Sequence, residues 1–154
     1  KNTEWGRKPS MKPSMKPRMK PKIVLANGVF DLLHYGHLLH LEAAKKLGDI
    51  LIVSITQDDF VNKGPDRPIF TAYHRERVVK SLRCVDATMI VYSSLEALKL
   101  IRPDIFVKGN EYLGKILETD KIYCEENAIK IEYTYEQSYS STELIRESRG
   151  RKRL

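Results

Sequence analysis

Five short strand-like runs, separated by stretches of helical periodicity, constrain this chain more than any other feature. They are Ile23 to Ala26, Ile50 to Ile55, Asp86 to Val91, Ile105 to Val107 and Ile129 to Tyr133. Between them, Leu38, Leu41, Ala44 and Leu47 make an apolar helix stripe that ends at Gly48. Thr71 is placed to cap a second helix, carried to Leu82 by Val78 and Val79. Ser94 to Ile101 forms a third helix closed by Pro103, and Leu117 to Asn127 contains a fourth. Ser141 or Thr142 opens a last one. Five largely apolar strands separated by helices imply a parallel sheet covered on both faces, which predicts an α/β fold. The expected architecture is a Rossmann-like five-stranded parallel sheet with helices on both faces. Ligands of such sheets collect at the carboxyl ends of the strands, near the point where strand order reverses.

A chain of 154 residues suffices for one such domain with a real core. Its net charge of +7 suggests a nucleic-acid binder until the charges are located. Residues 1–22 hold eight Lys or Arg and one acid, Glu4, which is the whole excess. There Lys-Pro recurs with period four, at Lys8, Lys12, Lys16 and Lys20, and such prolines favour an extended chain over a helix. Residues 1–22 are therefore read as a basic flexible tail or linker, 23–148 as the domain, and 149–154 as a second basic tail. Residues 23–145 carry 14 bases against 18 acids, so the folded part has no general basic face and nucleic acid is not expected as its partner. No run is long enough to cross a membrane, and no apolar segment follows the tail charges as in a secretory signal. Cys84 and Cys124 give no disulfide framework. A cytoplasmic location is the expectation.

The chemistry concentrates in Asn27-Gly-Val-Phe-Asp-Leu-Leu-His-Tyr-Gly-His37, where the first strand hands over to the first helix. A helix start offers unpaired N–H groups and partial positive charge to an anion, and imidazoles there can donate to the same anion. Gly36 has no Cβ and would let a ligand approach the backbone. Two readings compete with a polyphosphate site. The histidines can simply cap the helix, or serve zinc, although His40 is the one evident third ligand and a usable zinc site needs three or four. Three further segments supply matching chemistry. Lys63-Gly-Pro-Asp-Arg67-Pro is a loop with two cations, lysine a mobile point charge and arginine a two-pronged grip. His74-Arg75 lies in the second helix. Ser140, Ser141 and Thr142 gather hydroxyls at the start of the last helix, where a capping role and an anion site are compatible.

Taken together these segments resemble the cytidylyltransferase-like nucleotidyltransferases, whose first signature contains His-x-Gly-His. The resemblance covers residues 23 to about 148. Val107-Lys-Gly-Asn-Glu-Tyr112 is similar to the family's Val-Lys-Gly-x-Asp-Tyr, Lys63 and Arg67 match its phosphate loop, and Arg75 its helix arginine. Ser140, Ser141 and Thr142 stand for its closing Ser-Thr-Thr. Glu111, Ser141, Ala26 and Tyr139 depart from the usual pattern. Among the subgroups, the chain most resembles the adenylyltransferase domain of ADP-heptose synthesis.

The resemblance implies transfer of a nucleoside monophosphate from ATP or CTP to a phosphorylated sugar or polyol, with release of pyrophosphate. His34, His37, Lys63 and Arg75 would be the catalytic residues. Asn27, Gly28, Val29, Phe30, Gly36, Arg67, Lys108, Gly109, Ser140, Ser141 and Thr142 would join His34, His37 and Lys63 in binding the nucleotide. Asp31, Glu111 and Tyr112 are candidate acceptor contacts, although Asp31 reads better as a carboxylate orienting the turn. Mg²⁺ would travel on the triphosphate, with no protein side chains as ligands. A homodimer is implied by analogy. Transfer to glycerol 3-phosphate, flavin adenylylation and a non-enzymatic nucleotide-binding module are the alternatives.

Overall fold

The computed structural model describes residues 20–135 and, beyond them, Ile145, Arg146 and Arg149. Five strands form one sheet: β1 (Ile23–Gly28), β2 (Ile50–Thr56), β3 (Ala87–Val91), β4 (Ile105–Gly109) and β5 (Lys130–Thr134). All neighbours are parallel, in the order β3-β2-β1-β4-β5. Four helices connect them: α1 (Tyr35–Lys45), α2 (Ala72–Lys80), α3 (Ser94–Ile101) and α4 (Glu118–Glu126). Alternation along the strands sends side chains to two separate cores. Val24, Ala26, Leu51, Val53 and Ile55 pack with Leu41 and Ala44 of α1 and Val79 of α2. Leu25 and Phe106 pack on the other face with Ala97 and Leu98 of α3 and Cys124 of α4. The chain therefore winds outward from β1 over one face and returns over the other to β4. That reversal puts the switch point between β1 and β4, where the parallel-sheet expectation needs it.

The amino ends of the strands are tied down by aspartates. Asp49 accepts from the Lys22 N–H at 2.8 Å, Asp104 from Ile23 N–H at 2.7 Å, and Asp86 from Leu51 N–H at 2.8 Å. The carboxyl ends of β1 and β4 run further than the apolar pattern predicts, to Gly28 and Gly109. Pairing of Gly28 with Ile55 and of Gly109 with Thr134 accounts for the extension. α1 begins three residues before its apolar stripe, because His34 caps it. Gly36 and His37 thus lie inside its first turn. Among the described residues no helix is long and apolar enough to cross a membrane.

Candidate active site

His34 is the N-cap of α1 and His37 its third residue, and the two close a reciprocal capping box. His34 Nδ1 accepts from the Gly36 N–H at 3.1 Å, and His37 Nδ1 accepts from the His34 N–H at 3.2 Å. The rings stack with centroids 3.9 Å apart. Because each Nδ1 accepts, each neutral ring must carry its proton on Nε2. His34 Nε2 is enclosed and has no hydrogen-bond partner among the described residues. A buried donor of this kind is ordinarily paired, with a water or with a ligand atom. The imidazoles occupy the Gly36 and His34 amides that a bare helix start would offer an anion, and capping leaves Nε2 of His34 unengaged among the described residues. Burial, and then the charge of Lys63, lowers the His34 pKa. Burial, helped by His34 and Lys63, pushes His37 down to about 3, so both rings are neutral donors at neutral pH.

The turn before the helix is held under strain. Phe30 and Leu32 have φ of 52° and 53°, a left-handed conformation that is rare for large side chains. The Phe30 ring packs against Gly28, where a Cβ would meet it at 2.7 Å, and meets the His37 ring edge-on at 5.5 Å. Asn27, on the same strand end, donates from its side-chain amide to Ser54 Oγ at 2.9 Å. Val29 presents its carbonyl to Arg75. Asp31 is buried and accepts from Arg67 Nε at 2.9 Å and from the N–H groups of Ile69 and Phe70 at 2.8 and 3.1 Å. Burial raises its pKa, but the two amides and the guanidinium outweigh that and the net shift is downward. Through these three donors Asp31 ties the turn to the segment 67–70.

Lys63 and Arg67 both stand in the loop between β2 and α2. Loss of water around the Lys63 ammonium lowers its pKa, and Arg67 lowers it further, against the opposite pull of Asp31 and Glu111. The residue as a whole remains exposed to solvent. The same ammonium acts electrostatically on both imidazoles, so loop and helix start face one region. Arg75 departs from expectation. Its side chain is almost fully buried and donates to the carbonyls of Phe70, Val29 and Thr56 at 2.9, 2.6 and 2.8 Å, and to Asp58 at 2.7 Å. In this structure it ties the strained turn to the end of β2 and does not face outward toward a phosphate.

Lys108, Gly109, Glu111 and Tyr112 gather at the end of β4. Lys108 Nζ lies 3.4 Å from the Asn27 carbonyl, bridging the two strands of the switch point. Sequence reasoning passed over His40 except as a zinc ligand. One turn after His37, its Nδ1 lies 2.6 Å from Thr134 Oγ1 at the end of β5, and burial with the charge of Lys108 takes its pKa down to about 4. Its spacing from His37 was the available signal. Among the described residues no three His, Cys, Asp or Glu side chains cluster as metal ligands. Ser140, Ser141 and Thr142 lie outside the described residues.

A strained strand–turn–helix with paired imidazoles, at the switch point of a parallel sheet, is the geometry the His-x-Gly-His signature leads one to expect. A family model described as cytidylyltransferase-like matches residues 25–148. The chain belongs to the cytidylyltransferase-like family. It is accordingly a nucleotidyltransferase-type domain. Relatives include the bifunctional protein HldE of Helicobacter hepaticus, 46% identical over 98 residues, which are 61% of this chain and 20% of that protein. The bifunctional protein HldE of Helicobacter pylori strain J99 is 40% identical over 129 residues, 80% of this chain and 27% of that protein. The chain thus spans 20% to 27% of the length of these relatives. Among solved structures, a lipopolysaccharide core biosynthesis protein from Thermoplasma volcanium superposes with a TM-score of 0.67 at 30% identity, over 77% of this chain and 100% of that one. A protein of unknown function from Archaeoglobus fulgidus, 20% identical with a TM-score of 0.60 over 78% of this chain and 93% of that one, shares the fold. Cytidylyltransferase-like membership thus rests on most of the described chain, the β1–α1 turn included.

Proposed function

We propose that the domain transfers a nucleoside monophosphate from ATP or CTP to a sugar phosphate, in the manner of a heptose 1-phosphate adenylyltransferase. The observation that carries this reading is the open Nε2 of His34, beside His37 and within the field of Lys63. The names of the relatives, bifunctional protein HldE and lipopolysaccharide core biosynthesis protein, support a sugar acceptor over a polyol. An acceptor phosphate oxygen attacks the α-phosphorus, a new P–O bond forms, and the bond to the β-phosphate breaks to release pyrophosphate. Such a transfer needs placement and charge stabilisation more than covalent help. His34 and His37 donate from Nε2 to phosphate oxygens as negative charge grows on them. Lys63 closes over the polyphosphate, and Arg67 fixes the loop that carries it. Arg75 acts as a positioning residue, holding Val29 and Phe70. Ser140, Ser141 and Thr142 are read as β- and γ-phosphate ligands. Mg²⁺ belongs to the triphosphate, since Asp31, the carboxylate beside the histidines, is engaged by three donors. A homodimer in the cytoplasm completes the reading.

The test is pyrophosphate release from each triphosphate with a panel of sugar and polyol phosphates. His37→Ala should lower turnover about a hundredfold or more, the usual loss for a donor that stabilises developing charge. Turnover within a few-fold of the parent would overturn the assignment.

A further inference from the structure

Under the carboxyl ends of the strands, on the α3–α4 face, lies a buried polar cluster that phosphate binding does not account for. Alternation along β1 and β4 places Asn27 and Lys108 on the face of Leu25 and Phe106. On that face Ser94, the first residue of α3, donates to Asp120 Oδ2 of α4 at 2.5 Å. Asp120 is 2% exposed, and its Oδ1 has no hydrogen-bond partner among the described residues. The Lys108 ammonium is enclosed nearby, 4.8 Å from the Tyr112 ring centroid and 5.4 Å from that of Phe106. Among the described residues its one hydrogen bond is the 3.4 Å contact with the Asn27 carbonyl. At least two of its three N–H donors are therefore open.

Four titratable side chains act on or face this ammonium: Asp120 from α4, Glu111 and Tyr112 from the turn after β4, and His40 from α1. Burial, then Lys108, takes His40 down to about 4, and burial, then Glu111, pushes the Tyr112 phenol up. Both are uncharged near neutral pH, which leaves the two carboxylates to offset the ammonium. Glu111 is exposed, where water weakens its pull, whereas Asp120 is buried. Burial brings Lys108 down to about 8, and Asp120, ahead of Glu111, opposes that fall. We infer that Asp120 is a positioning residue: held by Ser94, it supplies the counter-charge that keeps Lys108 an ammonium in the wall of the crevice between β1 and β4, where it serves the bound triphosphate. Its place one step away matters. A direct ion pair would occupy the donors, but among the described residues Lys108 and Asp120 make none, so the ammonium keeps its open N–H groups for a ligand. The inference rests on the nucleotidyltransferase reading for the presence of that ligand.

Two measurements on the full chain test it. In the first, Lys108 is titrated by NMR through its Cε–H signals, assigned by their loss in Lys108→Arg. The parent should titrate near pH 8, and Asp120→Asn about one pH unit lower, the effect of one nearby opposite charge. The second is calorimetric binding of the α,β-methylene analogues of ATP and CTP at about pH 6.5 and about pH 8. At the lower pH Asp120→Asn should bind as well as the parent or better, since Lys108 is charged in both and a repelling carboxylate has gone. At the higher pH it should bind about threefold more weakly, because fewer of its Lys108 side chains hold a proton. Titration of the analogue's own phosphate is common to both chains. In a Lys108→Arg background the loss at higher pH should vanish, as arginine stays charged. A Lys108 titration unmoved by Asp120→Asn, or equal weakening at both pH values, would overturn the proposal. Should Asp120→Asn fail to fold, adding Lys108→Met should restore folding by removing the uncompensated ammonium, and continued misfolding would overturn it too. Pyrophosphate release with an unmoved Lys108 titration sinks this inference alone. The pH-dependent loss of binding without pyrophosphate release sinks the catalytic reading alone.

Discussion

Histidine at an N-cap is an uncommon choice, and here it does two things with one ring. Nδ1 satisfies a backbone amide and so sets the tautomer, which leaves Nε2–H as a donor; in the proposed reaction it serves a phosphate. The ring must stay neutral for Nδ1 to accept, and burial enforces that. This links folding to pH. An unfolded histidine takes a proton near pH 6.5, whereas His37 and His40 resist until about 3 and about 4. Between those values the unfolded chain binds more protons, so stability falls as pH drops below about 6.5. The urea midpoint should decline between about pH 7 and pH 5, and His40→Asn should flatten that decline. A midpoint unchanged over this range would contradict the buried neutral rings. Asp31 gives a second residue-scale prediction. Its side chain has 0% exposure and that of Arg67 8%, so Asp31→Ala leaves a cation and two amides without their acceptor. Denaturant unfolding should show a loss of about 3 kcal/mol. A loss below about 1 kcal/mol would mean that the loop rearranges at little cost.

At the scale of elements, the turn between β1 and α1 depends on a small residue at the strand end. Gly28→Ala would drive a Cβ to 2.7 Å from the Phe30 ring, which is buried and supports His37. Overpacking of this kind costs about 1–3 kcal/mol. The variant should keep its circular dichroism spectrum, melt a few degrees lower, and bind a triphosphate analogue about tenfold more weakly. Unchanged affinity would show that Phe30 does not position the histidines. Element type was legible in the amino-acid sequence at β1, β2 and β4, whose expected spans are apolar apart from Ser54, and less so at the edge strands β3 and β5, which carry Thr88, Lys130 and Glu132. α3 matches its expected span of Ser94 to Ile101, since Ser93 caps it and Pro103 follows. Boundaries were less legible at β1, β4 and α1. Their last or first residues are Gly28, Gly109 and Tyr35, whose conformations depend on neighbouring strands or on the cap and not on local hydrophobicity.

For the whole molecule, the strand order could not be read from periodicity, although the site's position follows from it. The return to β4 places Lys108 beside Asn27 despite a separation of 81 residues. The motif residues His34, His37 and Lys63 could be named from the chain because phosphate chemistry restricts residue type. Arg75 could be named but its task could not, since its partners are backbone carbonyls contributed by three separate segments. His40 went unassigned for the same reason, as its partner Thr134 lies 94 residues away. The central claim is that α1 and the Lys63 loop converge on one polyphosphate. Its most direct test is a crystal structure of the chain with a non-hydrolysable triphosphate. Phosphate oxygens should lie about 3 Å from Nε2 of both His34 and His37. A triphosphate bound elsewhere, with both nitrogens unengaged, would contradict the claim.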